Sequence, residues 1–346
     1  QPDSAHTIGK LSTGMWIVRH EPVVASSRFG QLNHKSGRYL MAPLELADAR
    51  DQLIPLLRDG RLSIFVGSGV SAAPPSRLPI WDDFVQLFLE FAQNQVGDDP
   101  GATSITNIID DARSLDSRYN LERVSAVRLA LDEYDKKKGW NLDRNFTKWF
   151  TRLLSADPND NHRHIVSTNY SAIVTSNYDT LLEDAADELG YSALSRRVFS
   201  YTEPAKFARA LYDRKSLILH AHGVVTDVRI GDVVFTKEDY ERLVADHHSF
   251  ALNLRGLLIT NSMLFVGYGM SDPHFEGVFE EISRGLAYDT DVGLPRLFIL
   301  VKRARAESPV HEKFHSYRRK HLVAFDDFAQ VTSFLDDLRS AVPRPR

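Results

Sequence analysis

The chain has 346 residues, 43% of them hydrophobic and 25% charged, with a formal net charge of −4 and no cysteine. That length allows one large domain or two modest ones with a sizeable buried core. The acidic balance supplies no basic field for nucleic acid or an anionic membrane, and a cysteine-free chain has neither a disulfide framework nor a cysteine-based zinc ribbon.

Residues 1–40 carry five Lys and Arg against two acids, with Gly and Ser scattered through them, and read as an extension or partner-contacting arm. Gln1 stands where a start Met is usual, and Met41 is an internal candidate start. Met15–Val18 is too short for a signal-peptide core. No apolar run approaches the roughly 18–20 residues that span a bilayer, so cytoplasm is the expected compartment.

Leu44, Leu46, Leu53, Ile54, Leu56 and Leu57 form an apolar face at helical spacing that stops at Gly60. Leu62–Val66 is a β-branched and aromatic run ending at Gly67, as a buried strand entering a glycine turn would be. Pro74, Pro75 and Pro79 stiffen the next loop. From Trp81 to Leu154 the pattern is helical, with apolar clusters at Phe84-Leu87-Phe88-Phe91 and Phe146-Trp149-Phe150-Leu153. This block reads as an inserted helical lobe, about 81–160. The second half alternates strands (172–175, 217–220, 263–266, 297–301, 322–325) with helices (180–189, 249–260, 275–282). Thr236 and Asp239 form an acidic capping box, and Pro273 stands in a first helical turn. Such alternation predicts an α/β fold of the Rossmann-like type, a mostly parallel sheet with helices on both faces.

Chemistry-bearing residues gather where the strands end. Gly67-Ser68-Gly69-Val70-Ser71 follows the first strand; its glycines would let backbone approach a pyrophosphate, and Ser71 could donate to it. A third glycine at the dehydrogenase spacing is missing, and a tight turn explains this segment alone. Thr175-Ser176-Asn177-Tyr178-Asp179 ends the next strand, where open α/β sheets bind ligands; the alternative is that Asn177 and Asp179 cap the helix at Thr180. In His220-Ala221-His222-Gly223, Gly223 permits a sharp turn that leaves His222 facing the cleft, suited to proton transfer, while His220 reads as a hydrogen-bonded core residue. Zinc on His220 with His222, or on His162 with His164, lacks a supporting third ligand. Gly267-Tyr268-Gly269-Met270-Ser271-Asp272-Pro273 repeats the strand, glycine turn and helix start.

In their order along the chain these segments resemble the sirtuin superfamily, whose members show G-A-G-x-S, T-x-N-x-D, H-G and a later strand running into glycine. The resemblance spans Leu62 to Pro273. Protein-deacylating sirtuins carry a four-cysteine zinc module after H-G. Here there is no cysteine, and the segment that usually follows the first glycine loop is replaced by Leu78-Pro79-Ile80-Trp81-Asp82-Asp83-Phe84. Those departures are similar to the zinc-free, bacterial defence-associated branch.

The resemblance implies an NAD+ hydrolase that uses NAD as substrate, needs no metal and releases nicotinamide and ADP-ribose. It implies catalytic roles for Asn177, His222 and Asp179, the last in the nicotinamide pocket or holding the loop. Gly67, Ser68, Gly69, Ser71, Thr175, Ser176, Gly267, Tyr268, Gly269 and Ser271 would contact the dinucleotide. It further implies a gated effector of anti-phage defence acting by abortive infection, as a homo-oligomer or with a regulatory partner such as a HerA-type ATPase or a short Argonaute. The alternatives are an NAD-dependent protein-lysine deacylase and a non-catalytic module that senses NAD or ADP-ribose.

Overall fold

The structure, a computed structural model, describes residues 42–225, 233–269, 272–285, 295–307 and 320–345. The expected arm at 1–40 lies outside them, as do Met270 and Ser271. Leu40–Arg346 clusters as one compact unit.

The short strand β1 (Leu44–Glu45) leads into helix α1 (Leu46–Arg58), and β2 (Leu62–Val66) follows. Ser68–Ser71 winds into one helical turn, α2, where the sequence suggested only a glycine turn. Four longer helices come next: α3 (Trp81–Val96), α4 (Thr103–Ser114), α5 (Asn120–Lys138) and α6 (Leu142–Leu153). They build the expected helical lobe around their own core of Phe84, Phe88, Phe146 and Phe150. Helix α7 (Asp160–Ser167), β3 (Ile173–Thr175), α8 (Leu181–Glu188), α9 (Ser192–Ser195), β4 (Val198–Ser200), α10 (Pro204–Tyr212) and β5 (Ile218–His220) continue the chain. The remaining elements are α11 (Lys237–Asp246), α12 (His248–Thr260), β6 (Ser262–Val266), α13 (Pro273–Gly285), β7 (Leu297–Lys302), α14 (Arg303–Ala306), β8 (Lys320–Phe325) and α15 (Phe328–Ala341).

All strand pairs are parallel, in one eight-stranded sheet ordered β1-β8-β7-β6-β2-β3-β5-β4. Both faces are buried, which is why β2 and β6 read as mostly apolar runs rather than alternating ones. Ile64, Val66, Ile173 and Leu264 pack with Leu53 of α1, Ile165 of α7, Leu182 of α8 and Leu335 of α15 on one face. Phe65, Val174, Leu219 and Phe265 pack with Phe207 of α10, Leu254 of α12 and Phe279 of α13 on the other. No helix among the described residues is long and apolar enough to cross a bilayer.

Strand β2 lies between β3 and β6, with β3, β5 and β4 on one side of it and β6, β7 and β8 on the other, so the chain leaves β2 to one side and later crosses to the other. That makes the carboxyl ends of β2, β3 and β6 a topological switch point, the place where open α/β sheets leave a crevice for a ligand. The helical lobe joins at this same end, since it is inserted between β2 and β3.

Candidate active site

A cavity of about 140 Å³ opens at the switch point. Its sheet side is lined by Ser68, Ser71, Ser176, Asn177, Asp179, His222, Gly267, Tyr268, Gly269 and Asp272. Trp81, Phe84, Leu121 and Leu154 of the lobe supply the apolar wall.

The two glycine loops are locked together. Gly67 N–H donates to Val266 O and Gly69 N–H to Gly267 O, each at 2.9 Å. A Cβ on Gly67 would lie 2.5 Å from Gly267 O, and one on Gly267 would lie 2.5 Å from Val70 N, with Gly267 at φ +65° besides. The backbone approach that these glycines allow is therefore loop to loop. Both N–H groups are occupied, and the space a side chain would need is filled by the second loop.

Ser71 is likewise committed. His162 Nδ1 accepts from Asn159 N–H at 3.1 Å within the capping box of α7. A ring nitrogen that accepts carries no proton, so the proton of this neutral imidazole sits on Nε2, which donates to Ser71 Oγ at 3.1 Å. Burial depresses the His162 pKa to about 3, with Arg163 acting in the same direction, which keeps the ring neutral. Asn177 Nδ2 donates to Ser71 Oγ at 3.0 Å and to Gly67 O at 3.3 Å; because the carbonyl can only accept, the atom facing it must be the amide nitrogen. Ser71 Oγ–H in turn donates a hydrogen bond to Asp179 Oδ2 at 2.9 Å. With two donors received and one proton given, the hydroxyl has nothing left for a phosphate. These bonds fix Asn177 and Asp179.

Asp179 Oδ1 accepts from Leu181 N–H at 3.2 Å. The carboxylate thus caps the start of α8 and holds the Ser71 loop at once. Burial pushes its pKa up, opposed by the Ser71 and Leu181 hydrogen bonds and by the nearby His220. Thr175 is held by a similar set of bonds. It is fully buried, donates to Val66 O at 3.0 Å and accepts from Asn177 N–H at 3.0 Å, tying the end of β3 to β2 without lining the cavity.

Asn177 is the exception in this saturated network. Its Oδ1 is buried and has no hydrogen-bond partner among the described residues, although the residue lines the cavity. An unpaired buried acceptor is costly in a folded protein unless something else completes it.

His222 Nε2 lies 3.0 Å from Asp272 Oδ2, and Tyr240 Oη donates to the same oxygen at 3.0 Å. Phe275 N–H donates to Asp272 Oδ1 at 3.2 Å. Burial drives the Asp272 carboxyl upward, but His222 beside it, with the Phe275 and Tyr240 hydrogen bonds, leaves it below the ordinary carboxylate value. The His222 ring is wedged edge-on between Tyr240 and tilted Phe275, with centroids 5.3 Å from each. His220, by contrast, is fully buried beneath the cavity. Its Nδ1 contacts Asn177 O at 3.1 Å and its Nε2 contacts the Glu183 carboxylate. Among the described residues, no three His, Asp or Glu side chains converge as a metal site.

His162, Glu183, Tyr240 and Asp272 belong to this constellation although the sequence motifs did not assign them. Their partners are distant in sequence: 91 residues for His162 and Ser71, 37 for Glu183 and His220, 32 for Tyr240 and Asp272. Only Asp272 carried a local signal, its place just before a helix-initiating proline.

Comparison with known proteins agrees with the motif order. The family described as SIR2-like domain matches residues 171–323. Proteins named NAD(+) hydrolase ThsA are similar to this chain: that of Cytobacillus dafuensis is 22% identical over 231 residues, 67% of this chain and 40% of the relative. The one from Enterococcus faecium is 29% identical over 200 residues, 52% of this chain and 40% of the relative. A third, from Acinetobacter baumannii, is 22% identical over 239 residues. The matched regions span about two fifths of the length of these relatives. The strand-end motifs and the parallel sheet thus stand beside a region, residues 171–323, that is similar to the SIR2-like domain.

Proposed function

We propose that the cavity at the switch point hydrolyses NAD+ at its nicotinamide–ribose bond. The observation that carries this reading is the Asn177 amide, anchored through its nitrogen and presenting a buried, unpaired Oδ1. Nicotinamide leaves as a neutral molecule, so the reaction needs no general acid. It needs an environment that favours an oxocarbenium-like ribose and a group that orients water or a ribose hydroxyl. Asn177 Oδ1 accepts a hydrogen bond from either. His222, braced by Asp272, takes a proton from the ribose hydroxyls or the attacking water, much as a buried carboxylate braces the imidazole in other hydrolases. Asp179 holds the Asn177 loop. Ser68, Ser176, Tyr268 and Gly269 offer the remaining cavity surface to the dinucleotide. The names of the relatives support the same chemistry.

A cavity of about 140 Å³ is small beside the ~300–1,000 Å³ of pockets that bury drug-sized ligands. It suits one ring of the substrate, so we propose that lobe residues such as Trp81 and Leu121 move outward to admit the whole dinucleotide. This supports a gated enzyme, consistent with a role in anti-phage defence under an oligomeric or partner-protein control. The test is nicotinamide release from NAD+ by the purified protein, with and without an acyl-lysine peptide. Release without peptide is the expected result; release only with peptide would assign deacylation instead, and NAD+ binding without turnover would assign a sensing module.

A further inference from the structure

His220 and Glu183 lie below the cavity wall, and the proposed reaction does not use either directly. The ring of His220 is sandwiched between two atoms that can only accept. Nδ1 faces the main-chain oxygen of Asn177 at 3.1 Å, and Nε2 faces an oxygen of the Glu183 carboxylate. A neutral imidazole has one donor and one lone pair. Whichever tautomer it took, one lone pair would be pressed against another in a site with no solvent exposure on the histidine. The arrangement is satisfied when both ring nitrogens carry protons.

We propose that His220 and Glu183 form a buried imidazolium–carboxylate pair that positions Asn177 for the reaction by holding its main-chain carbonyl. This rests on the NAD+ hydrolase reading of the cavity. His220 Nδ1–H donates to Asn177 O, and Nε2–H donates to Glu183. The charged groups acting on the ring are Glu183 on α8 and Asp179 on the loop before it; Ser200, its neighbour on β4, is neutral. Burial lowers the His220 pKa, but Glu183, the Asn177 carbonyl and Asp179 more than offset it and leave the value raised, in agreement with the geometry. Asn177 is then gripped from two sides by histidines of opposite charge state. His162, neutral, acts through Ser71 on the side-chain amide; His220, protonated, acts on the backbone.

The pair makes a pH signature that a merely space-filling residue would not. Its proton is bound at neutral pH and is lost as pH rises through the raised pKa of His220. Past that point the one remaining ring proton stays on Nε2 in the stronger, charge-assisted bond to Glu183, the Asn177 carbonyl faces the Nδ1 lone pair and its hold is gone, so kcat falls on the alkaline side while KM changes little. Glu183→Gln removes this sensitivity without removing the contact. The glutamine amide donates to Nε2 of a neutral ring whose Nδ1–H still reaches Asn177 O, or turns to accept from the protonated ring.

The experiment is a kcat and KM profile against pH for wild type, Glu183→Gln and Glu183→Ala, beside 15N-histidine NMR of the full chain with the His220 signals identified by their loss in His220→Gln. The expected results are an alkaline decline in wild-type kcat that is flattened in Glu183→Gln, with turnover at neutral pH within about tenfold of wild type. Glu183→Ala loses about 10²-fold in kcat, the scale of an ångström-level misplacement, with a small change in KM. The NMR spectrum shows both His220 nitrogens protonated at neutral pH. Superimposable profiles for wild type and Glu183→Gln, or a singly protonated His220 at neutral pH, would overturn the proposal. If wild type releases no nicotinamide under any condition, the hydrolase reading fails, and the NMR arm still decides whether the pair holds its proton.

Discussion

Ser71→Ala isolates the junction on which the site depends. In the wild type its hydroxyl receives His162 Nε2–H at 3.1 Å and Asn177 Nδ2–H at 3.0 Å and donates to Asp179 Oδ2 at 2.9 Å, all buried. After truncation Asn177 retains Gly67 O, but the His162 donor and the Asp179 oxygen lose their only partners among the described residues. A buried polar group left unpaired costs about 1–3 kcal/mol, so the two together cost about 2–6 kcal/mol. Set against a total stability of ~5–15 kcal/mol for a typical protein, that is a large fraction. Urea unfolding should show the midpoint falling with the slope unchanged, because the surface exposed on unfolding is the same. Nicotinamide release should fall as well, since Asn177 loses one of its two side-chain anchors. A loss of less than about 1 kcal/mol would refute the reasoning, because the hydroxyl would then be dispensable to groups that depend on it.

Other outcomes follow from the same geometry. His162 stays neutral in the fold, with its pKa near 3, so the unfolded chain takes up a proton on this ring below about pH 6.5 while the folded one does not. Stability is therefore intact above that pH and falls by about 1.4 kcal/mol per unit on acidification towards pH 3; His162→Gln should remove this share of the slope, and equal slopes in the two proteins would contradict it. Gly267→Ala forces a side chain into φ +65° and into Val70 N. It should cost at least the ~1–3 kcal/mol of a strained backbone, read as a lowered Tm. Phe235 follows the His222 loop and stacks on Phe146 of the lobe, 5.3 Å between centroids. Phe235→Ala should cost about 3–5 kcal/mol, and an unchanged urea midpoint would show that this ring does not pin the lobe. His222→Ala should lower turnover by about 10²–10⁴, with Asp272→Asn lowering it in the same direction, and normal turnover in either variant would remove that residue from the mechanism.

The sheet was largely legible in the sequence because its central strands are buried on both faces. Leu62–Val66 and the run at 263–266 stand out as apolar stretches closed by glycine, and the structure places them side by side as β2 and β6. Strand β4 escaped notice, being three half-buried residues at the sheet edge, and so did the two-residue β1. Helix α7 was also missed; its capping box has His162 where Glu or Gln is the usual signal. The motif residues meet at the switch point, but several of their local partners were not legible in the sequence. Gly67, Gly69 and Ser71 read locally as a phosphate cradle, yet their partners are Gly267, His162 and Asp179, which only the folded sheet brings near. The same is true of Glu183 and His220: the histidine read as a core residue, which it is, but its two acceptors lie on other elements. Asp179 bonds both Ser71 of the first loop and Leu181 N–H at the start of α8.

The most direct test of the central claim is nicotinamide release from NAD+ by wild type and by Asn177→Ala, with Tm recorded for both. The account predicts release by the wild type and a loss of about 10²–10³-fold in the variant, the usual cost of one preorganised polar group, at a Tm that shows the variant is folded. Equal turnover by the two folded proteins would contradict the assignment of this cavity as the place where the bond is broken.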